Sequence, residues 1–363
     1  RNLQIEQARV VGGIRAGGLA GSANGATQIE NVRIGTLAPA GADPITVAAS
    51  STNVPVYAGG LLGAVPAGTS VSLSRVEVGL GGDADAGRDI TASSAAGGSQ
   101  AGGVVGEMLS GRIETARVHA DVRASGVGSL AGGVVGDATA SIVGAESLGS
   151  VAAGGFAGGI AGRWTAPAGG EFRGNRSASG VSGGGHVGGL IGHALGTGAI
   201  CDSDATGSVS TSGDETLPLY AGGAVGWYAL SGAPSDITAA GNVSGGNSTG
   251  GVIGYLQTSV ALTATSLVSV VPVGTTKTVT GPRWVGGLVG YSASTLASSG
   301  LSFAGDVTAT GSAGAVGGLF GRSNGAIASS TTQGTVSGGG TAGGLVGLAE
   351  GAGRFTQVSS SAR

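Results

Sequence analysis

A hexapeptide with the pattern small-Gly-Gly-apolar-apolar-Gly recurs eleven times along the chain. We call each copy an anchor. The anchors are AGGLAG from Ala16, AGGLLG from Ala58, AGGVVG from Ala101 and Ala131, AGGIAG from Ala157, VGGLIG from Val187, AGGAVG from Ala221, TGGVIG from Thr249, VGGLVG from Val285, VGGLFG from Val316 and AGGLVG from Ala342. A repeat of about 33 residues indicates one structural unit per repeat, stacked on the next.

Two further apolar patterns lie between the anchors. The first is a Gly-x-Val signature, found at Val151, Val209, Val243, Val307 and Val336. The second is a single apolar residue a little after most anchors, at Ile113, Ile142, Ile200, Ile237, Leu296 and Ile327. Each repeat therefore contains three runs of about five residues that are rich in β-branched side chains and bounded by Gly, Ser, Asn and Asp. Such runs predict strands joined by turns.

These patterns predict an all-β fold, a parallel β-solenoid (β-helix) of about eleven glycine-rich turns with three short strands per turn. Helices are disfavoured because a glycine costs a helix interior about 1 kcal/mol relative to alanine. We expect residues 1–363 to form a single repeat domain, with longer insertions at 22–57, 64–100, 193–220 and 255–284.

Composition narrows the function. The chain has 80 glycines among 363 residues, a net charge of −3 and one cysteine, Cys201. The near-neutral charge argues against nucleic-acid binding, and a lone cysteine excludes an internal disulfide. No run of about 20 apolar residues is present, so we expect no membrane insertion of this segment.

The anchor and the Gly-x-Val signature together resemble the GLUG repeat of large bacterial surface proteins and adhesins. The closest copies are VGGLVG at Val285 and AGGLVG at Ala342, and the resemblance extends from Ala16 to Gly347. It implies an extracellular or cell-surface location in a bacterium and a spacer or adhesive role, and it transfers no catalytic residue. The chain begins Arg-Asn-Leu and has no signal segment, so we interpret it as a processed or excised fragment of a larger chain.

Catalytic and metal-binding side chains are sparse. His119, His186 and His193 are too few and wrongly spaced for a zinc site. The last two flank one anchor, and we expect two surface imidazoles rather than a shared metal. An enzymatic β-helix needs clustered carboxylates beside a basic group. The sequence shows no such cluster, so we predict that the chain is not an enzyme and needs no cofactor.

One segment is an exception, because Asp83, Asp85 and Asp89 lie in a glycine-rich stretch. Alternating carboxylates in such a turn can present several oxygens to calcium, which makes calcium the one cofactor to consider. The alternative interpretation is a solvated loop whose aspartates cap turns.

Three aromatic residues share one position in consecutive repeats. Trp227, Tyr255 and Tyr291 each follow the last glycine of an anchor, so stacking of the turns would align them into a short ladder. They either cover a corner of the coil or form an aromatic strip that contacts a glycan or a partner chain.

These observations favour a non-catalytic segment of a bacterial surface protein that acts as a stiff stalk and as an adhesive or interaction module. Its partners would be a surface protein or glycan of a host or neighbouring cell, or copies of itself. The alternatives are a fibre-forming structural subunit and an ice-binding protein. Ice binding would use rows such as Thr278-Val-Thr280 and Thr308-Ala-Thr310, but Arg123 and Ala152 interrupt the row elsewhere.

The anchor leaves one question open, since it places two apolar residues side by side although neighbours in a strand face opposite ways. If the strand is straight, one residue, such as Leu288, faces the core and the next, Val289, lies in an exposed stripe. Such a stripe would mark an interface. If the strand bends at the paired glycines, both residues face the core.

Overall fold

The computed structural model of the chain describes residues 2–6, 8–35, 45–79, 88–212, 218–269, 276–338, 340–351 and 354–362. They fall into two compact units, Arg1–Gly183 (unit 1) and Gly184–Arg363 (unit 2). Within the described residues, every element of regular secondary structure is a β-strand. No helix in this part of the chain is long and apolar enough to span a membrane.

Each unit is a parallel β-solenoid, so the predicted fold is confirmed. Strands of one turn pair in parallel with their copies in the next turn and form ladders along the coil. Ladder A contains most of the isolated apolar residues, ladder B the Gly-x-Val signature, and ladders C and D the two halves of the anchor. Leu296 is the exception, because it lies outside the strands and is 46% exposed. A turn therefore has three sides, and the anchor side is bent into two strands.

Unit 1 contains strands of all four ladders. Ladder A consists of Leu3–Ile5, Ala26–Ile34, Ser70–Val78, Arg112–Val118, Ser141–Val143, Glu146–Ser147, Phe172–Arg173 and Arg176–Ser177. Ladder B consists of Ala8–Gly12, Ile45–Ser51, Arg88–Ser94, Asp121–Ser125, Val151–Ala153 and Val181–Gly183. Ladder C consists of Arg15–Gly17, Tyr57–Gly59, Gln100–Gly102, Leu130–Gly132 and Phe156–Gly158. Ladder D consists of Ala20–Ser22, Leu62–Val65, Val105–Met108, Val135–Ala138 and Ala161–Ala166.

Unit 2 repeats this arrangement. Its ladder C consists of His186–Gly188, Tyr220–Gly222, Ser248–Gly250, Trp284–Gly286, Ala315–Gly317 and Thr341–Gly343. Ladder D consists of Ile191–Gly196, Val225–Leu230, Ile253–Leu256, Val289–Ser292, Phe320–Ser323 and Val346–Ala349. Ladder B consists of Val209–Thr211, Val243–Ser244, Thr278–Gly281, Asp306–Ala309 and Val336–Gly338.

Ladder A of unit 2 changes part of the way along. Its first strands are Ile200–Ala205, Ser235–Ala239 and Leu267–Ser269. Two short three-stranded ladders follow, made of Ser298–Ser299, Ile327–Ala328 and Phe355–Thr356, and of Ser302–Ala304, Thr331–Gly334 and Ser359–Ala362. All of these pairings are parallel.

The bend in the anchor determines which way its two adjacent apolar residues face. The backbone N–H groups of Leu288 and Val289 both donate to the carbonyl of Leu319, each at 3.0 Å. Two successive donors on one acceptor form a bulge, and a bulge turns adjacent side chains to the same side. Leu288 and Val289 are both 0% exposed, so both ladders lie in the core and neither forms an exposed stripe.

The paired glycines are required by close backbone approach at the bend. A Cβ on Gly103, in unit 1, would lie 2.0 Å from the carbonyl oxygen of Gly133 in the next turn. In unit 2 a Cβ on Gly251 would lie 2.0 Å from the carbonyl oxygen of Gly287. Both distances are far inside van der Waals contact, so no other residue fits without moving the backbone.

Each of the four predicted insertions contains one stretch outside the described residues, namely 36–44, 80–87, 213–217 and 270–275. The rest of the first two insertions forms long strands, such as Ala26–Ile34 and Ser70–Val78. These strands stay in register with the other turns of ladder A.

Candidate functional site

The bend of the anchor brings together residues that are seven positions apart. The residue before each anchor and the residue after its last glycine both point outward, on the two strands that meet at the bend. In unit 2, ring centroids lie 5.2 Å apart for His186 and His193 and 5.6 Å apart for Tyr220 and Trp227. The outer side of each bend is therefore a concave corner in which side chains of ladders C and D touch.

Aromatic rings fill this corner over several turns of unit 2. We call the group the aromatic cluster; its members are His186, His193, Tyr220, Trp227, Tyr255, Trp284 and Tyr291. All but His186 are partly exposed.

The three residues singled out in the sequence lie on consecutive strands of ladder D. Trp227 pairs in register with Tyr255, and Tyr255 pairs with Tyr291. Their ring centroids are 5.8 and 5.1 Å apart, so the structure brings the three side chains together. Tyr228, one residue after Trp227, is 0% exposed, because alternate residues of the strand face the core.

Sequence reasoning missed the other half of the cluster. Tyr220 and Trp284 precede their anchors, on ladder C, and each contacts Tyr255 or Tyr291 across the bend, at 4.8 and 5.1 Å. The signal was the seven-residue spacing of aromatic pairs around an anchor. It becomes meaningful only once the anchor is known to bend.

The expectation of two surface imidazoles is wrong for His186, whereas His193 is partly exposed. His186 is 4% exposed, stacks on Tyr220 at 4.9 Å and meets His193 edge to face. Burial, and next the neighbouring His193, lower the pKa of His186 to about 3, so this ring is neutral at physiological pH. The bend explains the error, because it joins two ends of a segment that a straight strand would separate.

Burial also affects the phenols of the cluster. Burial, and next the neighbouring Tyr255, raise the pKa of Tyr220; burial, and next Tyr291, raise the pKa of Tyr255. Both hydroxyls therefore stay protonated and remain hydrogen-bond donors as well as acceptors.

Two arginines lie at one end of the aromatic cluster. The guanidinium carbon of Arg283 is 4.2 Å from the centre of the Trp284 ring, and that of Arg322 is 4.4 Å from the centre of the Tyr291 ring. Arg322 is also bound to Glu350, with Nε 3.0 Å from Oε2. Arg283 is exposed, and in the described part of the chain no carboxylate forms an ion pair with it.

In unit 1 the ladder D side of this corner is polar, whereas the ladder C column holds Tyr57, Gln100, Leu130 and Phe156. Glu107 and Asp137 lie in register on neighbouring turns, and Arg163 follows them. Asp137 is 3% exposed and accepts hydrogen bonds from two nitrogens of Arg163, one of them Nε at 2.9 Å. Burial, and next Asp137, raise the pKa of Glu107, which receives a hydrogen bond of 3.4 Å from Nε2 of Gln100.

Sequence reasoning did not find this carboxylate pair, because the two residues are 30 positions apart and only the stacking of turns joins them. Both carboxylate oxygens of Asp137 accept hydrogen bonds from Arg163. The pair is thus an ion-pair cluster with one additional carboxylate, that of Glu107.

Only Asp89 of the predicted calcium ligands can be placed. Asp83 and Asp85 lie outside the described residues. Asp89 is in the ladder B strand Arg88–Ser94, beside Thr46 on one turn and Asp121 on the other. Among the described residues, no group of three or more His, Cys, Asp or Glu side chains is arranged to hold a metal ion.

The single lysine of the chain is inside unit 2. Lys277 is 1% exposed, and its Nζ donates to the carbonyls of Ala239 at 2.6 Å and Gly251 at 2.8 Å. Burial lowers the pKa of Lys277 to about 7. This amine satisfies backbone carbonyls and is closed off from ligands.

Comparison with known proteins adds nothing to this description: the chain matches no family model, no curated protein and no solved structure.

Proposed function

We propose that the chain is a non-catalytic β-solenoid that serves as a stiff interaction module of a bacterial surface protein, and that the aromatic cluster of unit 2 is its contact surface for a glycan. One observation carries this proposal. Five of the 13 aromatic residues of the chain (3 Trp, 5 Tyr, 5 Phe) gather at one partly exposed corner. The surface location rests on the resemblance of the anchors to GLUG repeats.

Packing does not demand aromatic rings at this corner. The equivalent ladder D positions of unit 1 hold Glu107, Asp137 and Arg163, and the bend has the same form there, although Tyr57 and Phe156 occupy the ladder C column. The core of unit 2 contains its own aromatic residues, among them Tyr228, Phe303 and Phe320. Because the core is already filled, the aromatic rings on its outer side favour a role in contacting a ligand.

The hydrogen-bonded backbone of the solenoid favours a glycan over an extended peptide as the ligand. Strands on the side of the coil use their N–H and C=O groups to pair with the turns on either side, so none is available to bind an extended peptide as an added strand. Recognition must come from side chains. The cluster offers the phenol hydroxyls of Tyr220, Tyr255 and Tyr291, which can exchange hydrogen bonds with the hydroxyl groups of a ligand.

Binding of the purified chain to immobilised bacterial and host-cell glycans tests this proposal. We expect binding that the triple variant Trp227→Ala, Tyr255→Ala, Tyr291→Ala reduces at least tenfold, a change of about 1.4 kcal/mol. Tyr57→Ala is the matched control, because Tyr57 is partly exposed at the ladder C position in unit 1. Circular dichroism checks that the variants are folded, and quenching of tryptophan fluorescence by the glycan reports binding in the unmodified chain.

Three outcomes would overturn the proposal. The first is undiminished binding by the triple variant, and the second is an equal loss in Tyr57→Ala. The third is self-association in sedimentation with no glycan binding, which would favour the fibre-forming alternative.

A second candidate function, ice binding, is favoured by ladder B of unit 2. Hydroxyl side chains there occupy one outward column without interruption, at Ser210, Ser244, Thr280, Thr308 and Ser337. The interruptions at Arg123 and Ala152 belong to unit 1. A regular hydroxyl row on a sheet can order water. Thermal hysteresis lost in Thr280→Tyr but kept in Thr91→Tyr would support this candidate, and its absence in the unmodified chain would eliminate it.

A further inference from the structure

We infer that the ligand of the aromatic cluster is an acidic polysaccharide and that Arg283 binds its carboxylate groups. This inference rests on the proposed function and goes further, since it names the class of glycan. It starts from the two arginines at the end of the cluster, which differ in what they bind.

Arg322 is already engaged. Its guanidinium lies over Tyr291 and bonds to the carboxylate of Glu350. Arg283 lies over Trp284, is exposed, and has no ion-pair partner among the described residues. Stacking fixes the plane of a guanidinium and leaves its N–H edge free, and this edge matches a carboxylate in geometry and charge.

The surroundings of Arg283 favour an anion. In unit 2 the outward positions of ladders C and D around the bend contain no carboxylate; they are His186, Tyr220, Ser248, Trp284, Ala315 and Thr341 on ladder C and His193, Trp227, Tyr255, Tyr291, Arg322 and Leu348 on ladder D. Glu350 forms an ion pair with Arg322. The corner therefore attracts anions, whereas the equivalent corner of unit 1 contains Glu107 and Asp137.

A groove beside Arg283 provides space for a sugar. Its volume is about 470 Å³, and it is lined by Asn247, Pro282, Arg283, Thr310 and Ser312 among others. This volume is within the range of small-molecule sites, about 300–1,000 Å³. Apart from the arginine, the polar groups are neutral amides and hydroxyls, which suit the hydroxyl groups of a sugar.

An acidic peptide would present the same carboxylates, but the structure favours the polysaccharide. In the described part of unit 2, the ladder C strands of the inner turns pair on both edges, so a peptide lying across them would gain no strand-like main-chain hydrogen bonds. A polyuronate presents one carboxylate per sugar together with hydroxyl groups, and both kinds of group have partners in the groove.

Calorimetric titration of the full chain with polygalacturonate and with the same polymer after carboxyl reduction tests the inference. We expect polygalacturonate to bind at least about tenfold more tightly, with an affinity that falls as salt is raised. Arg283→Gln should remove most of this preference, whereas Arg123→Gln, which changes an exposed arginine of unit 1, should leave it unchanged. Both sites are exposed, so folding is retained.

The outcomes separate this inference from the proposed function. Equal binding of the two polymers, or an unchanged preference in Arg283→Gln, overturns carboxylate recognition, even if the aromatic triple variant still loses glycan binding. Poly-L-glutamate binding as tightly as polygalacturonate overturns the choice of a polysaccharide. If the aromatic triple variant binds polygalacturonate normally, the aromatic cluster is not the contact surface and the proposed function fails.

Discussion

The outward corner beside the anchor is built in the same way in both units, yet its ladder D column has a different chemistry in each. In unit 1 it holds Glu107, Asp137 and Arg163, and in unit 2 it holds Trp227, Tyr255 and Tyr291. The inward residues of the same strands are apolar throughout the inner turns of both units. The comparison shows that the bend restricts which residues can occupy the core and the glycine positions. The outer positions are not restricted in this way and can hold residues that bind a ligand.

Ladder A of unit 1 shows a different use of outward positions. Arg33, Glu77, Arg117, Glu146 and Arg176 follow one another in register on successive turns. Ion pairs of 2.9 Å join Arg33 to Glu77 and Arg117 to Glu146. Exposed ion pairs contribute little individually, about 0–1 kcal/mol. Because the signs alternate along the row, each charge lies between opposite charges, and a shift of one strand along its neighbour would separate them.

The largest expected loss of stability comes from charges placed in the core, and variants in both units test whether the two cores are equally well buried. Val289→Asp and Val105→Asp each place an unpaired charge where the side chain is 0% exposed. Each should lower the free energy of unfolding by more than about 4 kcal/mol, as Leu288→Asp should. Urea denaturation measures this. A folded Val289→Asp variant with an unchanged melting temperature would show that the second apolar ladder is exposed.

The next prediction concerns the glycines of the bend. Gly103→Ala in unit 1 and Gly251→Ala in unit 2 should each destabilise by about 2–4 kcal/mol, because the new Cβ meets a carbonyl oxygen of the next turn. Gly13→Ala is the control, since no atom lies within 4 Å of a Cβ there. Thermal melting compares the three variants. Equal melting temperatures would mean that the bend is not tightly packed.

A third prediction concerns the pH dependence of stability that Lys277 gives to unit 2. The pKa of Lys277 is about 7 in the folded chain, below its ordinary value of 10.5, so the unfolded state binds more protons between these values. The contribution of Lys277 to stability therefore rises with pH above about 7. The denaturant midpoint of the unmodified chain should increase from pH 7 to pH 9, whereas that of Lys277→Met should stay unchanged. The same rise in both proteins would contradict a buried amine.

The smallest effects are expected on acidification, with opposite signs in the two units. His186 has a folded pKa of about 3 against 6.5 in the unfolded chain, so its contribution to stability is lost as the pH falls through this range. The pKa of Glu107 is raised on folding, so protonation of Glu107 favours the folded state. His186→Phe should flatten the loss of stability in acid, and Glu107→Gln should steepen it. Melting temperatures between pH 6.5 and pH 4 provide the measurement, and shifts in the same direction would refute the assignment.

The repeat made much of this fold predictable. The anchors, the Gly-x-Val signature and the apolar residue that follows gave the all-β solenoid and the in-register column of Trp227, Tyr255 and Tyr291. These are local patterns, and stacking of identical units converts them directly into ladders. The partners Tyr220 and Trp284 were not predictable, because their contact depends on the angle between two strands.

Residues at the same position of successive repeats stack, so the repeat pattern already establishes which residues share a column. Which columns touch, and which way they face, depends on the folded chain. The physical reason is the bend at the paired glycines, where two N–H groups share the carbonyl of the next turn. That bend buries Leu288 together with Val289 and closes His186 onto His193. It depends on hydrogen bonds between turns, and no pattern within one repeat contains them.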